Sequence, residues 1–468
     1  MKHRVIFCSI ATLVATSVLF AQTSLNVDYL GNWNLRSTPS GFYSPYSACW
    51  GYTAPNGREY ALLGSTLGTS IIDITDAPTL TEVAFIQGPT SNWREMKTYQ
   101  EYAYIVSDQS DGVTPNGVQI VSLANLPTSA SFVKTYIWAD TVNSVVTSYQ
   151  RAHTVSTEGK YVYLNGGGYN GIRILDLTDP VDPVKAGRYV GPSFHDSYIR
   201  NDTIYASAIN AGGGLDIIDA RNKSNPTRIK LHQYPGSGTH NAWTSEDGRY
   251  VLTTDEINST PKTLKVWDMT NIQNLVKVAE VASVSGSDTT IVHNVVVRGN
   301  LAYVAWYTAG VKVIDISNPT SPQLVAHYDT YPAHDRADYA GVWGVYPFPS
   351  GKFIVSDMQT GLHVLRYPST STSVGIDTQT PKGYLLHQNY PNPFNPKTNF
   401  EFRIANFELV ALRVYDVLGR EVATLLNEQK APGVYTIFWD ASHLPSGVYY
   451  YRMSAETFVQ TKKLMLLK

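Results

Sequence analysis

One short phrase recurs along most of the chain: two or three β-branched or leucine residues, an aspartate, and then a turn rich in Asn, Asp and Pro. The clearest copies carry Asp73, Asp176 and Asp315. Seven copies follow one another at intervals of about fifty residues, which predicts repeated structural units rather than one core. In chain order their marker residues are Asp73, Ser122, Asp176, Asp219, Asp268, Asp315 and Arg366.

Each copy contains four short apolar runs, and in the sixth these are residues 292–298, 301–306, 311–315 and 323–328. Pro or Asn in the turn before the fourth run separates it from the third, because Pro cannot donate to a β-ladder. Four strands per repeat are typical of a propeller blade. The 32 Tyr and 9 Trp also favour sheet. We therefore predict an all-β fold, a seven-bladed β-propeller.

The seventh copy lacks a fourth apolar run, since the chain becomes rich in Ser and Thr after Pro368. Residues 25–31 resemble residues 323–329, which form the fourth run of the sixth copy. We therefore predict that residues 25–31 supply the outer strand of the last blade. Such a strand closes the ring and removes the open edges that favour aggregation.

The repeated phrase resembles the LVIVD repeat of exported bacterial propellers, over roughly residues 25–367. Proteins with this N-terminal pattern are grouped as "choice-of-anchor B" proteins. The resemblance implies the repeat class and an exported protein. It says almost nothing about a ligand or an activity.

The N-terminus has the pattern of an export signal. Lys2, His3 and Arg4 precede an apolar stretch at residues 5–20, and Ala21 ends it. We predict a signal peptide at residues 1–21; a membrane anchor is the alternative, but the stretch is short for the roughly 20 residues that span a bilayer. Cys8 would leave with the peptide. Cys49 would then be the single cysteine, so no internal disulfide is expected.

The C-terminal region has a different pattern. Residues 369–384 are predicted to be a linker, residues 22–368 the propeller, and residues 385–468 a small Ig-like antiparallel β-sandwich. Four motifs resemble a type A sorting domain of the type IX secretion system, and they lie at residues 389–396, 416–422, 445–449 and 462–468. The resemblance implies translocation across the outer membrane, removal of the tail, and release or surface attachment. An ordinary interaction sandwich is the alternative.

Composition narrows the range of partners. The formal net charge is -2 and charged residues make up 16% of the chain, so neither nucleic acid nor an anionic membrane is expected as a partner. No integral membrane segment is expected after signal cleavage. The expected partners are the type IX secretion machinery and an extracellular protein or glycan, and the expected state is a monomer that is secreted or attached to the outer cell surface.

Candidate site residues emerge when the copies are aligned on their second strands. His153, His195, His240 and His293 then occupy one position, at the start of the first strand. The remaining three copies have Trp50, Arg94 and Trp343 there, and Glu95 follows Arg94. First strands line the axis of a propeller, so these eight side chains are predicted to gather at one mouth of its channel. Loops that carry Asp108, Asp255, Glu256 and Asp357 should open on the same face.

Three interpretations of this cluster remain open. The side chains can cap their blades by bonding neighbouring loops; His153, His195, His240 and His293 can hold a divalent metal ion; or one histidine can act as a base, assisted by Arg94 or Glu95. The recurrent aspartates are expected only to bond turn amides. We favour a non-enzymatic exported binding protein over the alternative, a metal-assisted hydrolase or lyase, because no catalytic motif accompanies the histidines.

Overall fold

The computed structural model describes residues 23–38, 41–42, 44–108, 117–142, 145–209, 213–257, 261–283, 290–334, 336–368, 384–386, 388–389, 392–404, 408–430, 433–455 and 458–467. The chain divides into two compact units, Met1–Ser369 and Thr370–Lys468. The predicted signal peptide, and the predicted linker up to residue 383, lie outside the described residues.

The first unit is built from short antiparallel strands. The first two are β1 (Ser24–Leu25) and β2 (Asp28–Trp33). The next fourteen are β3 (Tyr46–Thr53), β4 (Glu59–Ser65), β5 (Gly68–Asp73), β6 (Thr81–Gln87), β7 (Arg94–Tyr99), β8 (Tyr102–Ser107), β9 (Val118–Ser122), β10 (Ser131–Tyr136), β11 (Trp138–Val142), β12 (Val145–Tyr149), β13 (Thr154–Glu158), β14 (Tyr161–Asn165), β15 (Ile172–Asp176) and β16 (Val184–Tyr189).

The remaining strands of this unit follow at similar intervals along the chain. They are β17 (Asp196–Arg200), β18 (Thr203–Ser207), β19 (Leu215–Asp219), β20 (Thr227–His232), β21 (Thr239–Thr244), β22 (Tyr250–Asp255), β23 (Leu264–Asp268), β24 (Val276–Val281), β25 (Val295–Arg298), β26 (Leu301–Ala305), β27 (Val311–Asp315), β28 (Gln323–Tyr328), β29 (Val342–Pro347), β30 (Lys352–Asp357) and β31 (Gly361–Arg366).

Within its described part, this unit contains seven sheets of four or five strands, one for each copy of the repeat. In chain order, blades 1 to 5 are β3–β6, β7–β10, β13–β16, β17–β20 and β21–β24. Blade 6 is β25–β28 with β1 at its edge, and blade 7 is β29–β31 with β2 at its edge. A separate hairpin, β11–β12, comes between blades 2 and 3 in the sequence.

The first strands of the blades form a closed ring. Contacts run from β3 to β7, β13, β17, β21, β25 and β29, and then back to β3. The hydrophobic core lies between neighbouring blades; one cluster joins Val296 and Tyr303 of blade 6 to Phe353 and Leu365 of blade 7. This arrangement confirms the prediction of an all-β propeller fold.

The N-terminal chain closes the ring, but in a different register from the predicted one. In blade 7, Asp28 pairs with Arg366, just as Gln323 pairs with Asp315 in blade 6. The predicted alignment began at Leu25 and was therefore wrong by three residues. Leu25 instead pairs with His327 at the edge of blade 6. The chain passes between the blades at Asn26, whose φ of 49° breaks the extended conformation.

A β-bulge on the outer strand recurs in every blade of the described ring. In blade 6 the extra residue is Val325 of β28, opposite Val313 and Ile314, and in blade 7 it is Leu30 of β2. A bulge inserts one residue and increases the local twist. Because β2 carries the same bulge, it takes the place of a genuine fourth strand.

The recurrent aspartates form the turns after the third strands, as predicted. Asp73 Oδ1 accepts a hydrogen bond of 3.0 Å from the amide of Thr75, and Asp176 Oδ1 accepts one of 2.7 Å from the amide of Thr178. The same bond recurs at Asp219, Asp268 and Asp315. The repeated aspartate is therefore a turn-building residue.

The second unit contains two antiparallel sheets. Its strands are β32 (Leu385–Leu386), β33 (Lys397–Ile404), β34 (Glu408–Tyr415), β35 (Glu421–Lys430), β36 (Gly433–Asp440), β37 (Gly447–Ala455) and β38 (Phe458–Leu466). One sheet has the order β32-β33-β36 and the other β35-β34-β37-β38. Both contribute to one core, which includes Phe400, Leu412, Tyr451 and Leu464. Two sheets around one core are typical of a sandwich; the Ig-like topology stays a prediction.

Candidate functional site

Four histidines lie side by side where the first strands of blades 3 to 6 begin. The ring centroids are 4.1 Å apart for His153 and His195, 4.2 Å for His195 and His240, and 4.1 Å for His240 and His293. We refer to these four side chains as the histidine row. Trp343 extends it, since its ring centroid is 4.9 Å from that of His293. Equivalent positions on adjacent blades thus place imidazoles in contact.

Trp50 does not belong to the row, and its alignment with the histidines was wrong. It pairs with Leu62 in blade 1 as Ser156 pairs with Tyr163 in blade 3, so it lies three residues further along its strand than expected. The error arises because the hairpin between β3 and β4 is longer: Thr53 pairs with Glu59, whereas in blade 3 Glu158 pairs with Tyr161. Trp50 packs instead on Tyr346, with a centroid distance of 4.6 Å.

Arg94 occupies the expected register, but its side chain turns away from the mouth. Its guanidinium donates to the carbonyl oxygens of Ser65, at 3.0 Å, and Pro89, and only 1% of the residue is exposed. Burial lowers the pKa of Arg94 to about 10. The ring of Trp93 faces His153 instead, with centroids 6.2 Å apart. Arg94 therefore holds blades 1 and 2 together, and Trp93 was the residue that the alignment missed.

Glu95 faces the interior of the channel. It forms an ion pair with Lys97, whose Nζ lies 4.2 Å from the ring centroid of Trp50. Burial raises the pKa of Glu95, and the charge of Lys97 opposes that shift. Glu95 thus belongs to a polar group inside the channel, below the histidine row.

The outer and middle members of the row differ in their hydrogen bonds. His153 Nδ1 is 2.8 Å from Asp108 Oδ2, and His293 Nδ1 is 2.5 Å from the carbonyl oxygen of Trp343. The Nδ1 atoms of His195 and His240 have no hydrogen-bond partner among the described residues. Bonding to a neighbouring blade, the capping role, therefore describes His153 and His293, and the backbone of His293 also influences His240, since it raises the pKa of His240 against the effect of burial.

Burial keeps the inner imidazoles neutral. It lowers the pKa of His240 to about 3, helped by His153, and it lowers the pKa of His293 to about 3, helped by His240. Burial, with repulsion from the other three histidines, also lowers the pKa of His195. A neutral imidazole has one nitrogen lone pair available, which is the form that binds metal ions and accepts hydrogen bonds.

The histidine row separates two cavities. The one we call the mouth cavity has a volume of about 860 Å³, and the channel cavity on the other side has about 300 Å³. Both are lined by the histidine row and by Trp93 and Trp343. The other polar and aromatic side chains of the mouth cavity are Asp108, Ser193, Phe194, Glu256, Tyr307, Asp338, Tyr339 and Gln359.

Two of the four loop carboxylates expected at the mouth are there, and two are not. Asp108 and Glu256 line the mouth cavity, as do Gly166, Gly167 and Gly168. Asp255 is fully buried and accepts hydrogen bonds from Tyr234, Gly238 and Lys265. Asp357 is also fully buried and accepts from Thr330 and from turn amides. Asp255 and Asp357 therefore stabilise their loops and do not line the mouth cavity.

Glu256 lies beside the middle of the row. One ligand atom from each of His195, His240 and Glu256 lies within 4.8 Å of the others. Tyr307 donates a hydrogen bond of 2.9 Å to Glu256 Oε1. Sequence comparison placed Glu256 in a loop on the same face as the histidines but did not include it among the metal ligands. Asp338 and Tyr339 were missed because the loop before β29 carries no repeated motif.

Comparison with known families identifies two parts of the chain. Residues 151–190 and 291–330 match the LVIVD repeat, and residues 388–467 match the secretion system C-terminal sorting domain. Both predicted resemblances are confirmed, and the "choice-of-anchor B" grouping stays a prediction. A sorting domain of this kind marks proteins that the type IX system delivers to the cell surface or the extracellular space, so the chain is an exported protein.

Several solved structures are similar to this chain at low sequence identity. The WD40 β-propeller domain of Doa1 has 11% identity and a TM-score of 0.46, covering 74% of this chain and 98% of that one. The periplasmic gluconolactonase PpgL of Pseudomonas aeruginosa has 11% identity and a TM-score of 0.44, and the match covers 84% of this chain and 99% of PpgL. PorZ, a surface component of the type IX secretion system of Porphyromonas gingivalis, has 13% identity and a TM-score of 0.45, covering 92% and 61%.

No curated protein matches the sequence. Within the residues that the structure describes, no helix is long and apolar enough to cross a membrane.

Proposed function

We propose that the chain is an exported binding protein that takes a neutral, polyhydroxylated ligand, a saccharide, into its mouth cavity. The sorting domain accounts for delivery to the cell exterior. The propeller supplies a preformed cavity of about 860 Å³, within the usual range of roughly 300–1,000 Å³ for small-ligand sites.

The charged side chains that line the mouth cavity are the reason for proposing a neutral ligand. Asp108, Glu256 and Asp338 line the mouth cavity, and no Lys or Arg lines it among the described residues. A carboxylate accepts hydrogen bonds and repels anions, whereas a ligand with many hydroxyl groups offers many donors. Without a bound cation, the mouth therefore suits a neutral sugar better than a phosphate or an acidic sugar.

Aromatic side chains in the mouth cavity also favour a saccharide. Trp93, Trp343, Tyr307 and Tyr339 surround the mouth cavity. Large, rigid rings supply apolar contact area, while a few polar groups fix the orientation of a ligand. Tyr339 is 48% exposed, so its ring is available to an entering ligand.

A sugar panel tests the proposal. We expect at least one of methyl glucoside, methyl galactoside, methyl mannoside and N-acetylglucosamine to bind the full chain in isothermal titration, more tightly than glucuronic acid or choline. Tyr339→Ala should weaken binding about tenfold or more, a loss of about 1.4 kcal/mol. Tyr29→Ala is the matched control, because Tyr29 is 49% exposed but lies on the outer strand of blade 7. Preference for glucuronic acid or choline, or equal binding by the Tyr339 variant, would overturn the proposal.

A metal-assisted hydrolase or lyase is the second candidate. The grouping of His195, His240 and Glu256 favours it. It requires an ion at that group, and turnover of a substrate that stops on chelation would distinguish it from a binding protein.

A further inference from the structure

We propose that His195, His240 and Glu256 bind a divalent transition-metal ion of the zinc type at the floor of the mouth cavity. One donor atom from each lies within 4.8 Å of the others, and His240 Nε2 is 3.7 Å from Glu256 Oε2. Ligands that bind zinc tetrahedrally at 2.0–2.2 Å lie about 3.4 Å apart, so small side-chain rotations bring the three donors to bonding distance.

The donor set selects the class of ion. Two imidazoles and one carboxylate form a common protein ligand set for zinc, and imidazole nitrogen also suits copper, nickel and iron. Calcium and magnesium prefer sites made of oxygen ligands alone. The carboxylate of Glu256 also offsets part of the charge of a divalent ion.

The surroundings support a three-ligand site rather than one made of four histidines. His153 and His293 already have partners, at Asp108 and at the carbonyl oxygen of Trp343. These bonds use Nδ1 and leave Nε2 free, so they do not by themselves exclude the outer pair. The outer pair is left out because, among the described residues, the donor atoms that lie within 4.8 Å of one another come from His195, His240 and Glu256. His240 is only 2% exposed and presents Nε2 to Glu256, at 3.7 Å from Oε2.

A hydrogen bond from Tyr307 fixes the orientation of the Glu256 carboxylate. The hydroxyl of Tyr307 bonds Oε1, while Oε2 is the oxygen that faces His240. Groups that bond a metal ligand fix its orientation, and their loss usually weakens metal binding about 10–100-fold. Tyr307 is thus assigned as a positioning residue.

The mouth cavity gives access to the ion. His195, His240 and Glu256 all line it, so a fourth coordination position opens towards the cavity. Three protein ligands with an open position are typical of zinc sites that bind water or a substrate, whereas structural sites are closed by four. The ion would lie where a saccharide enters, but its binding does not depend on the saccharide proposal.

Metal binding to the full chain tests the proposal. After removal of metal with a chelator, we expect one Zn²⁺ per chain in isothermal titration, and visible absorption bands when Co²⁺ is added. Glu256→Gln, which keeps the size of the side chain, should weaken Zn²⁺ binding at least 100-fold, and Tyr307→Phe about tenfold. His240→Gln removes another of the three ligands and should weaken Zn²⁺ binding to a similar extent. Melting curves identify any variant that fails to fold, and Glu256→Gln decides the result if His240→Gln is unstable.

Two control variants separate the site from other histidines and carboxylates. His363→Gln removes a buried histidine of blade 7, and Asp108→Asn removes the other mouth carboxylate that bonds the row. Both should bind Zn²⁺ within about threefold of the unaltered chain. Absence of Zn²⁺ binding at 100 µM ion, or equal binding by Glu256→Gln, would overturn the metal site. Sugar titrations repeated with chelator present test the proposed function separately.

Discussion

Trp33→Ala should lower the free energy of unfolding of the propeller by about 3–5 kcal/mol, the usual cost of removing a buried tryptophan side chain. Trp33 is the last residue of the closing strand β2 and is only 5% exposed. Its ring meets that of Tyr46 in blade 1 edge to face, with centroids 6.4 Å apart. It also packs in one cluster with Leu362 and Val364 of blade 7. The side chain thus joins the first and last blades.

Urea unfolding of the full chain measures this effect. Leu35→Ala is the matched control, because Leu35 lies two residues further on but is 72% exposed. The control should change the free energy of unfolding by less than about 0.5 kcal/mol. If the two variants unfold within 1 kcal/mol of each other, the closing strand contributes little to stability, and the ring is held by its other contacts.

The fold could be predicted because one recurring residue is enough to reveal the period of the repeat in the sequence. An aspartate at the end of each third strand marks the blade, and the hydrogen bond from Thr75 to Asp73 shows why that residue recurs. The closing strand was predicted in kind but not in register. Residues 25–31 were matched as one strand, whereas the break at Asn26 divides the segment between β1 and β2.

The candidate site was only partly predictable. Equivalent positions placed the four histidines together, because neighbouring first strands run side by side around the axis. Side-chain direction was not predictable at Arg94, whose guanidinium donates to the carbonyl oxygens of Ser65 in blade 1 and of Pro89 in the loop after it. The adjacent carboxylates Asp255 and Glu256 are equally plausible mouth residues in the sequence. Only the structure shows that one is buried in its blade and the other lines the mouth.

Lys265→Met should destabilise the propeller by about 3–5 kcal/mol, because it leaves a buried carboxylate without its cation. Lys265 Nζ lies 2.6 Å from Asp255 Oδ2, and the two side chains are 7% and 0% exposed. Asp255 ends β22 directly before Glu256, and its Oδ1 accepts hydrogen bonds from Tyr234 and Gly238. The ion pair therefore fixes the loop that presents Glu256 to the mouth.

The matched control for this variant is Lys277→Met, in the next strand of the same blade. Lys277 pairs with Glu280, but its side chain is 44% exposed, so its loss should cost less than about 1 kcal/mol in urea unfolding. Adding Asp255→Asn to Lys265→Met removes the unpaired charge and should restore part of the lost stability. If Lys265→Met is no less stable than Lys277→Met, the carboxylate of Asp255 does not need this partner. If Lys265→Met also weakens Zn²⁺ binding while Lys277→Met does not, the buried ion pair supports the position of Glu256 as well as the stability of blade 5.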